Sequence, residues 1–417
     1  MAQLSDDCFA FGGPLMSVDD AVAIIAARVT AIADVERARL MQADGRVLAA
    51  DIAAPLPLPP FTNSAVDGYA VRHGDLTGDV SQGLAVTGRV QAGAEAQPIA
   101  AGTAMRIFTG APMPDGADTV FMQEDVQRDA SGHVLLPPGL KAGANVRPAG
   151  EDIAAGVPAL RAGQRLRPQD VALIAAFGLT EVIVRRRIRV AVFSTGDELV
   201  SPGQPRGGAQ QFDSNRFMLQ ALLKRLGCAV SDLGIIADDR AALASALRQA
   251  AGAHDLLLTS GGVSTGEEDH VKASVESVGS LVLWRMAIKP GRPVAMGIIA
   301  GTPFIGLPGN PVASFVTFAH VVRPTIFALA GAVQQVPLPM PLRAAFSYRK
   351  KTGRREYVRV HLRRGDDGLL EAIKFPREGA GLLSSLVDTD GLVELGEDIT
   401  SVAPGDTVGF LSYASLS

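Results

Sequence analysis

Gly261, Gly262, Ser264, Thr265 and Gly266 stand directly ahead of Glu267, Glu268 and Asp269. Glycines admit positive φ and let a backbone approach a ligand closely. Successive N–H groups in such a loop can form an anion nest, aided by the N-terminus of a following helix. A helix end alone contributes only about 0.3–1 kcal/mol to anion binding, too little to hold a phosphate beside carboxylates. A divalent cation between phosphate and carboxylate resolves the conflict, and Mg2+ prefers such oxygen ligands. The loop therefore points to a phosphorylated ligand bound together with a metal. It is not a nucleotide P-loop, because no Gly-Lys-Ser/Thr ending follows. No G-x-G-x-x-G turn follows the first strand either, and His270 reads as a helix-surface residue.

Three more polar loops accompany it. "FSTGDEL" supplies Ser194, Thr195, Asp197 and Glu198, "IIADD" supplies Asp238 and Asp239, and "GLPGNP" carries Pro308 and Asn310. Each alone reads as a turn capping a helix; four at strand ends suggest one shared site. "LWRMAIKPGRP" adds Arg285, Lys289 and Arg292. If 284–289 is extended, Arg285 and Lys289 share a face about 13 Å apart. Such cations are either solvated or acid-paired, or they hold a second oxyanion, and both readings stand. In "NSAVDGYAV", Asp67-Gly68 between alternating apolar residues reads as a hairpin turn. "FTGAPMPDGAD", which contains Thr109, reads as ordinary turns.

The elements that must carry these loops follow from hydrophobic spacing. Ser17 and Asp20 resemble a capping box, and Val18, Val22, Ile25, Val29 and Ile32 recur at helical period, predicting a helix over 18–33. "APLPLPPF" is a stiff extended boundary, and 63–150 reads as a small β-rich region. A short helical pattern returns at 169–177. Candidate strands at 188–193, 229–236, 255–259 and 303–307 alternate with helical patterns at 214–226, 239–251 and after Glu268. That rhythm predicts a mostly parallel sheet covered on both faces, with ligands gathered outside the carboxyl ends of its strands. From about Val336 the pattern is β again, a small barrel or sandwich. The apolar stretch 312–333, interrupted by His320, Arg323 and Pro324, predicts a buried, kinked helix rather than a membrane span.

A chain of 417 residues with 47% hydrophobic content should form more than one core. Its formal charge of −4 gives no bulk reason to expect nucleic acid or an acidic membrane. Two cysteines, Cys8 and Cys228, exclude a disulfide framework and a thiolate metal cluster and fit a reducing cytoplasm. No leader-like segment is evident, so a soluble protein is expected.

The ordered set "NSAVDGYA", "TGAPMPDGAD", "FSTGDEL", "DSN", "SGGVSTGEEDHVK", "IKPGRP" and "GLPGNPVASF" resembles the molybdopterin molybdenumtransferases, the family that includes the gephyrin E domain, from about Ser17 to Gly409. The resemblance implies a multidomain α/β chain: a helical linker domain (1–52 plus 151–186), an inserted β-rich domain (53–150), a central parallel-sheet molybdopterin-binding domain (187–334) and a C-terminal β-barrel (335–417). It implies Mg2+-dependent insertion of molybdenum from molybdate into adenylylated molybdopterin with release of AMP. Glu198 and Asp269 then look like acids that position metal and pyrophosphate, with Asp238 a further metal candidate. Gly261, Gly262 and Ser264 match the pterin-phosphate loop, and Asp213, Ser214 and Asn215 the adjacent segment. Pro308 and Asn310 belong to the same binding set. Lys289, with Arg285 and Arg292, resembles the molybdate site.

Asp67 and Thr109 match family residues that, in a homodimer with composite active sites, reach toward the partner's cleft. Arg354, Ser384 and Ser385 align more loosely from the last domain. Arg292 and Arg285 stand where lysines are common in the family, and Thr62 where an acid is common. Candidate protein partners are the molybdopterin adenylyltransferase and apo-molybdoenzymes. The rival readings are a molybdopterin adenylyltransferase, with the same α/β domain, and a gephyrin-like scaffold without turnover.

Overall fold

The computed structural model of the protein describes residues 15–32, 34–76, 83–237, 239–261 and 270–416. It divides into a larger unit (1–49, 163–167 and 181–417) and a smaller one (50–162 and 168–180).

The larger unit is organised by a six-stranded sheet in the order Ala229–Ile236, Arg189–Thr195, Leu256–Ser260, Thr302–Leu307, Pro293–Ile299, Gly279–Arg285. The first four run parallel, and Pro293–Ile299 is antiparallel to both neighbours. Alternation along the strands builds two cores. Val190, Val192, Leu256 and Leu258 face one side with helix Asn215–Arg225, while Ala191, Phe193 and Leu257 face the other with helices Arg240–Ala253 and His270–Val278. The strands expected at 188–193, 229–236, 255–259 and 303–307 are present to within two residues. Gly279–Arg285 and Pro293–Ile299 were not foreseen. Glycine inside the second of these reads as turn punctuation, yet a Cβ on Gly297 would lie 2.6 Å from the Ser280 carbonyl oxygen. Close strand approach, not a turn, demands that glycine.

The expected N-terminal helix is shorter, Val18–Arg28, and starts at the Ser17/Asp20 capping box. It ends early because Val29 turns extended and the Ile32 N–H donates to Leu329 O. Val29 and Ile32 remain buried in the same core. The apolar segment is helical from Pro311 to Leu329, 94% buried over its most apolar stretch. Its middle, Phe318–Val322, is a π-turn rather than a proline kink.

Behind this helix the chain closes a five-stranded barrel: Arg355–Arg364, Leu370–Lys374, Met340–Ala344, Thr407–Ser412 and Gly391–Leu395, which pairs back to Arg355–Arg364. Leu392, Leu411 and Tyr357 of the barrel belong to the same hydrophobic cluster as the sheet, so sheet and barrel share one core.

The smaller unit carries a four-stranded sheet in the order Ala85–Val90, Thr103–Ile107, Gly68–Val71, Thr119–Met122. Asn63–Ser64 pairs with Val146–Arg147, whereas Gly68–Val71 pairs with Thr103–Ile107 and Thr119–Met122. The hairpin expected at Asp67-Gly68 is therefore absent. A Cβ on Gly68 would lie 1.9 Å from the Phe121 carbonyl oxygen, so this glycine serves strand contact.

Candidate functional site

Strand Arg189–Thr195 sends its crossover to one side of the sheet and Leu256–Ser260 lies on its other side. The loops leaving these two neighbours diverge, which is the switch point where open α/β sheets hold ligands. A cleft of about 850 Å³ opens there in the larger unit, facing the rim of the barrel.

The sheet wall is packed backbone to backbone. Gly261, at φ +94°, donates its N–H to Leu307 O, and a Cβ on it would meet Thr195 O at 3.5 Å. Asn215 ties three loops together: its Nδ2 donates to Ser260 Oγ (2.8 Å) and to Gly309 O (2.6 Å), while its buried Oδ1 has no partner among the described residues. Asp213, buried, accepts from Arg216 Nε at 2.8 Å and from the Arg216 N–H at 3.3 Å. Ser214, Pro308 and Asn310 line the same wall. Glu198 is exposed in the cleft and folds over Gly196, where even a Cβ would lie 2.5 Å from its carboxylate. Asp239 instead caps helix Arg240–Ala253 by accepting from the Ala242 N–H at 2.7 Å. Gly262, Ser264, Asp269 and Asp238 lie outside the described residues.

The opposite wall is cationic. Lys289, Arg292, Arg359, Lys374 and Arg377 line it, with Glu378 as its carboxylate. Lys289 sits on the turn between strands Gly279–Arg285 and Pro293–Ile299. Its two-residue strand Ile288–Lys289 pairs with Arg355–Glu356 of the barrel. Glu356, only 1% exposed, accepts from Tyr348 OH (2.7 Å) and Arg354 Nε (2.7 Å) and forms an ion pair with Lys289 Nζ at 3.3 Å. Arg359 donates to Gly379 O (2.7 Å) and Ser385 Oγ (2.9 Å), and burial lowers its pKa against the opposing pull of Tyr413, Tyr348 and Glu378. Lys374 donates to Glu378 at 3.0 Å and holds that carboxyl below its usual range.

Three family profiles match successive stretches of the chain. A profile described as a probable molybdopterin binding domain matches residues 191–328. Profiles for the MoeA N-terminal region (domains I and II) and the MoeA C-terminal region (domain IV) match 16–178 and 341–413. A protein of Haemophilus influenzae named molybdopterin molybdenumtransferase is 39% identical over 89% of this chain and 92% of its own. One of a Nostoc species with the same name is 35% identical over 95% and 93%. The chain belongs to the molybdopterin molybdenumtransferase family. The crystal structure of a molybdopterin biosynthesis MoeA protein from Pyrococcus horikoshii superposes with a TM-score of 0.80, at 29% identity, covering 96% of this chain and all of that one.

Within this family member, the structure sorts the residues picked from sequence. Glu198, Asp213, Ser214, Asn215, Gly261, Pro308, Asn310, Lys289 and Arg292 meet in the one cleft. Arg285 does not line it: the strand ends there, opposite Pro293, and 284–289 is not one extended run that would align Arg285 with Lys289. Arg354 stands behind the wall on Glu356, and exposed Ser384 begins a short helix outside the lining. Its neighbour Ser385 is buried and held by Arg359.

In the smaller unit, Asp67 accepts from both the N–H and the Oγ1 of Thr109 at 2.8 Å, which lowers its pKa, with Arg106 adding a Coulombic pull. The two residues picked by resemblance are thus hydrogen-bonded partners 42 positions apart. Sequence reading missed Phe212, Tyr348, Glu356, Arg359, Lys374 and Arg377. The alternation Glu356–Val358–Val360 against Tyr357–Arg359 marks a strand, but nothing in it says which end faces a ligand.

For a divalent cation, Glu198 is a cleft carboxylate with no hydrogen bond among the described residues, whereas Asp213 is committed to Arg216. No group of three or more acid, His or Cys side chains gathers among the described residues. A single carboxylate fits Mg2+, which keeps several waters and is commonly held by one or two carboxylates plus substrate phosphate oxygens.

Proposed function

We propose that this protein inserts molybdenum from molybdate into adenylylated molybdopterin and releases AMP, completing the molybdenum cofactor. The observation that carries the reading is the two-walled cleft. One wall is a switch-point loop system suited to phosphates, and the other is a set of five cations suited to a second oxyanion. Glu198 would hold Mg2+, and the chemistry that ion would supply is neutralisation of charge on the adenylate phosphate oxygens. Gly261 and Asn215 hold the phosphate-bearing end of the substrate. Lys289, Arg292, Arg359 and Lys374 hold molybdate near the pterin sulfurs, which belong to the substrate and explain why no protein thiolate lines the described cleft.

The protein acts in the cytoplasm as a homodimer with composite sites, each subunit lending its Asp67–Thr109 pair to the partner. It takes substrate from the molybdopterin adenylyltransferase and passes product to apo-molybdoenzymes. In this reading the chain has a helical linker domain (1–52 plus 151–186), an inserted β-rich domain (53–150), a molybdopterin-binding domain (187–334) and a C-terminal barrel (335–417).

The test is incubation of the purified protein with adenylylated molybdopterin, molybdate and Mg2+. AMP release coupled to metal insertion is expected, and lost on chelating Mg2+. Formation of the adenylate from ATP would instead identify a transferase of the earlier step, and no turnover a scaffold. For the dimer, Asp67→Asn and Glu198→Gln subunits are co-expressed. One of the two sites in a mixed dimer is then intact, so activity recovers to about half of wild type. No recovery removes the composite site.

A further inference from the structure

Lys289 is not simply a cation at the end of a flexible stem. The register Lys289↔Glu356 sets it opposite a buried carboxylate, and its Nζ donates to Tyr348 OH at 3.2 Å while lying 3.3 Å from Glu356 Oε2. The Tyr348 phenol donates to that same oxygen at 2.7 Å, so ammonium, phenol and carboxylate close a triangle. One ammonium N–H is thus spent on the phenol, and the ion pair with Glu356 holds the charge at the cleft wall. The Lys374 ammonium and that of Lys289 each lie 5.7 Å from the centre of the Tyr348 ring. The ring's negative face moderates their mutual repulsion. Arg354 holds the other Glu356 oxygen at 2.7 Å, which fixes the carboxylate from behind.

We infer that Tyr348 and Glu356 are positioning residues which lock Lys289 against the Lys374 ammonium and thereby set the size selectivity of the oxyanion pocket. This rests on the proposed molybdate site. The reason is preorganisation: a donor array that cannot move favours one anion radius, whereas a loosened array adapts to several and discriminates less. Molybdate is larger than sulfate, so discrimination between these two tetrahedral dianions reports the rigidity of the array. Glu356 is a necessary constraint even though its charge opposes an anion. By Coulomb's law alone, its removal would tighten both dianions; as a positioning group, its removal narrows the difference between them.

The experiment measures binding of molybdate and of sulfate to the full-length protein by titration calorimetry, for wild type, Tyr348→Phe, Glu356→Gln and Lys289→Ala. Thermal melts identify any variant that fails to fold. In Tyr348→Phe, which keeps the ring and removes the bridge, molybdate affinity should fall about fivefold. The molybdate-to-sulfate affinity ratio should fall in both Tyr348→Phe and Glu356→Gln. Lys289→Ala weakened with the Tyr348→Phe ratio unchanged overturns the positioning role and leaves the oxyanion site standing. No effect of Lys289→Ala on molybdate overturns the oxyanion site itself, and with it this inference.

Discussion

On the sheet side of the cleft, Asn215, Ser260, Gly261 and Gly309 hold one another by short hydrogen bonds and close backbone contacts at the ends of adjacent strands. On the barrel side, Lys289, Tyr348, Glu356, Arg359 and Lys374 meet through long side chains from separate strands and turns. The first wall is rigid because its groups are mostly main chain, and fine changes there should either be harmless or abolish function. The second is a network of charges restrained by other charges. Its variants should change affinity and selectivity by degrees.

The largest effect that would test this contrast is on the sheet wall. Glu198→Gln keeps the shape and removes the charge that, in the proposed reaction, holds Mg2+. AMP release should fall roughly a hundredfold or more, with an unchanged melting temperature. A near-normal rate at saturating Mg2+ would reduce this acid to a turn residue.

Acid should separate the walls next. His320 stacks on Tyr357 of the barrel wall at 4.5 Å between ring centres, and burial, helped by Arg355 and Arg323, lowers its pKa to about 3. The folded state therefore binds this proton later than the unfolded chain does, whose histidine titrates near 6.5. Its contribution is complete above about pH 6.5 and declines as pH falls from there toward 3, by about 1.4 kcal/mol per unit at most. Asp255, beneath the sheet, behaves differently. Burial would raise its pKa, but Arg186 and Arg189 outweigh that and set it at about 2. Its contribution is present above about pH 4 and is lost only between 4 and 2. Urea unfolding at pH 7 and pH 5 should show about 2 kcal/mol lost in wild type. In His320→Gln the loss should be much smaller. Equal losses would assign the acid limb elsewhere.

Arg359→Lys should act on the barrel wall alone. Lysine keeps the charge but not the planar guanidinium, whose Nη1 alone reaches both Gly379 O and Ser385 Oγ. The molybdate concentration for half-maximal insertion should rise about tenfold, with the rate at saturation preserved. A fall in the saturated rate instead would mean that the barrel wall also shapes the reacting geometry.

The smallest effect distinguishes acids near the sheet ends from acids in the site. Asp239→Ala removes a helix cap and should cost about 1 kcal/mol of stability, with AMP release unchanged. Any loss of activity in the folded variant would extend the active wall to this loop.

The sequence by itself determined four strands, expected at 188–193, 229–236, 255–259 and 303–307, their helices, and the loops that line the sheet wall of the cleft. Each loop of that wall is a contiguous motif at a strand end, and in a parallel sheet successive strand ends share one edge, so local sequence and topology suffice. Glu198 and Gly261 are legible for that reason, whereas Asn215 is picked out by the family motif. The barrel wall was decided by tertiary structure. Glu356 has no local reason to be buried until register sets it beside Lys289, 67 positions earlier, and Tyr348 is an ordinary β residue until two lysines face its ring. Likewise, Asp67-Gly68 carries the local signature of a hairpin, but Gly68 packs under Phe121 and Asp67 bonds Thr109 instead. Turn propensities are worth little against strand pairing that satisfies several backbone groups at once, and only the folded chain decides which pairing that is.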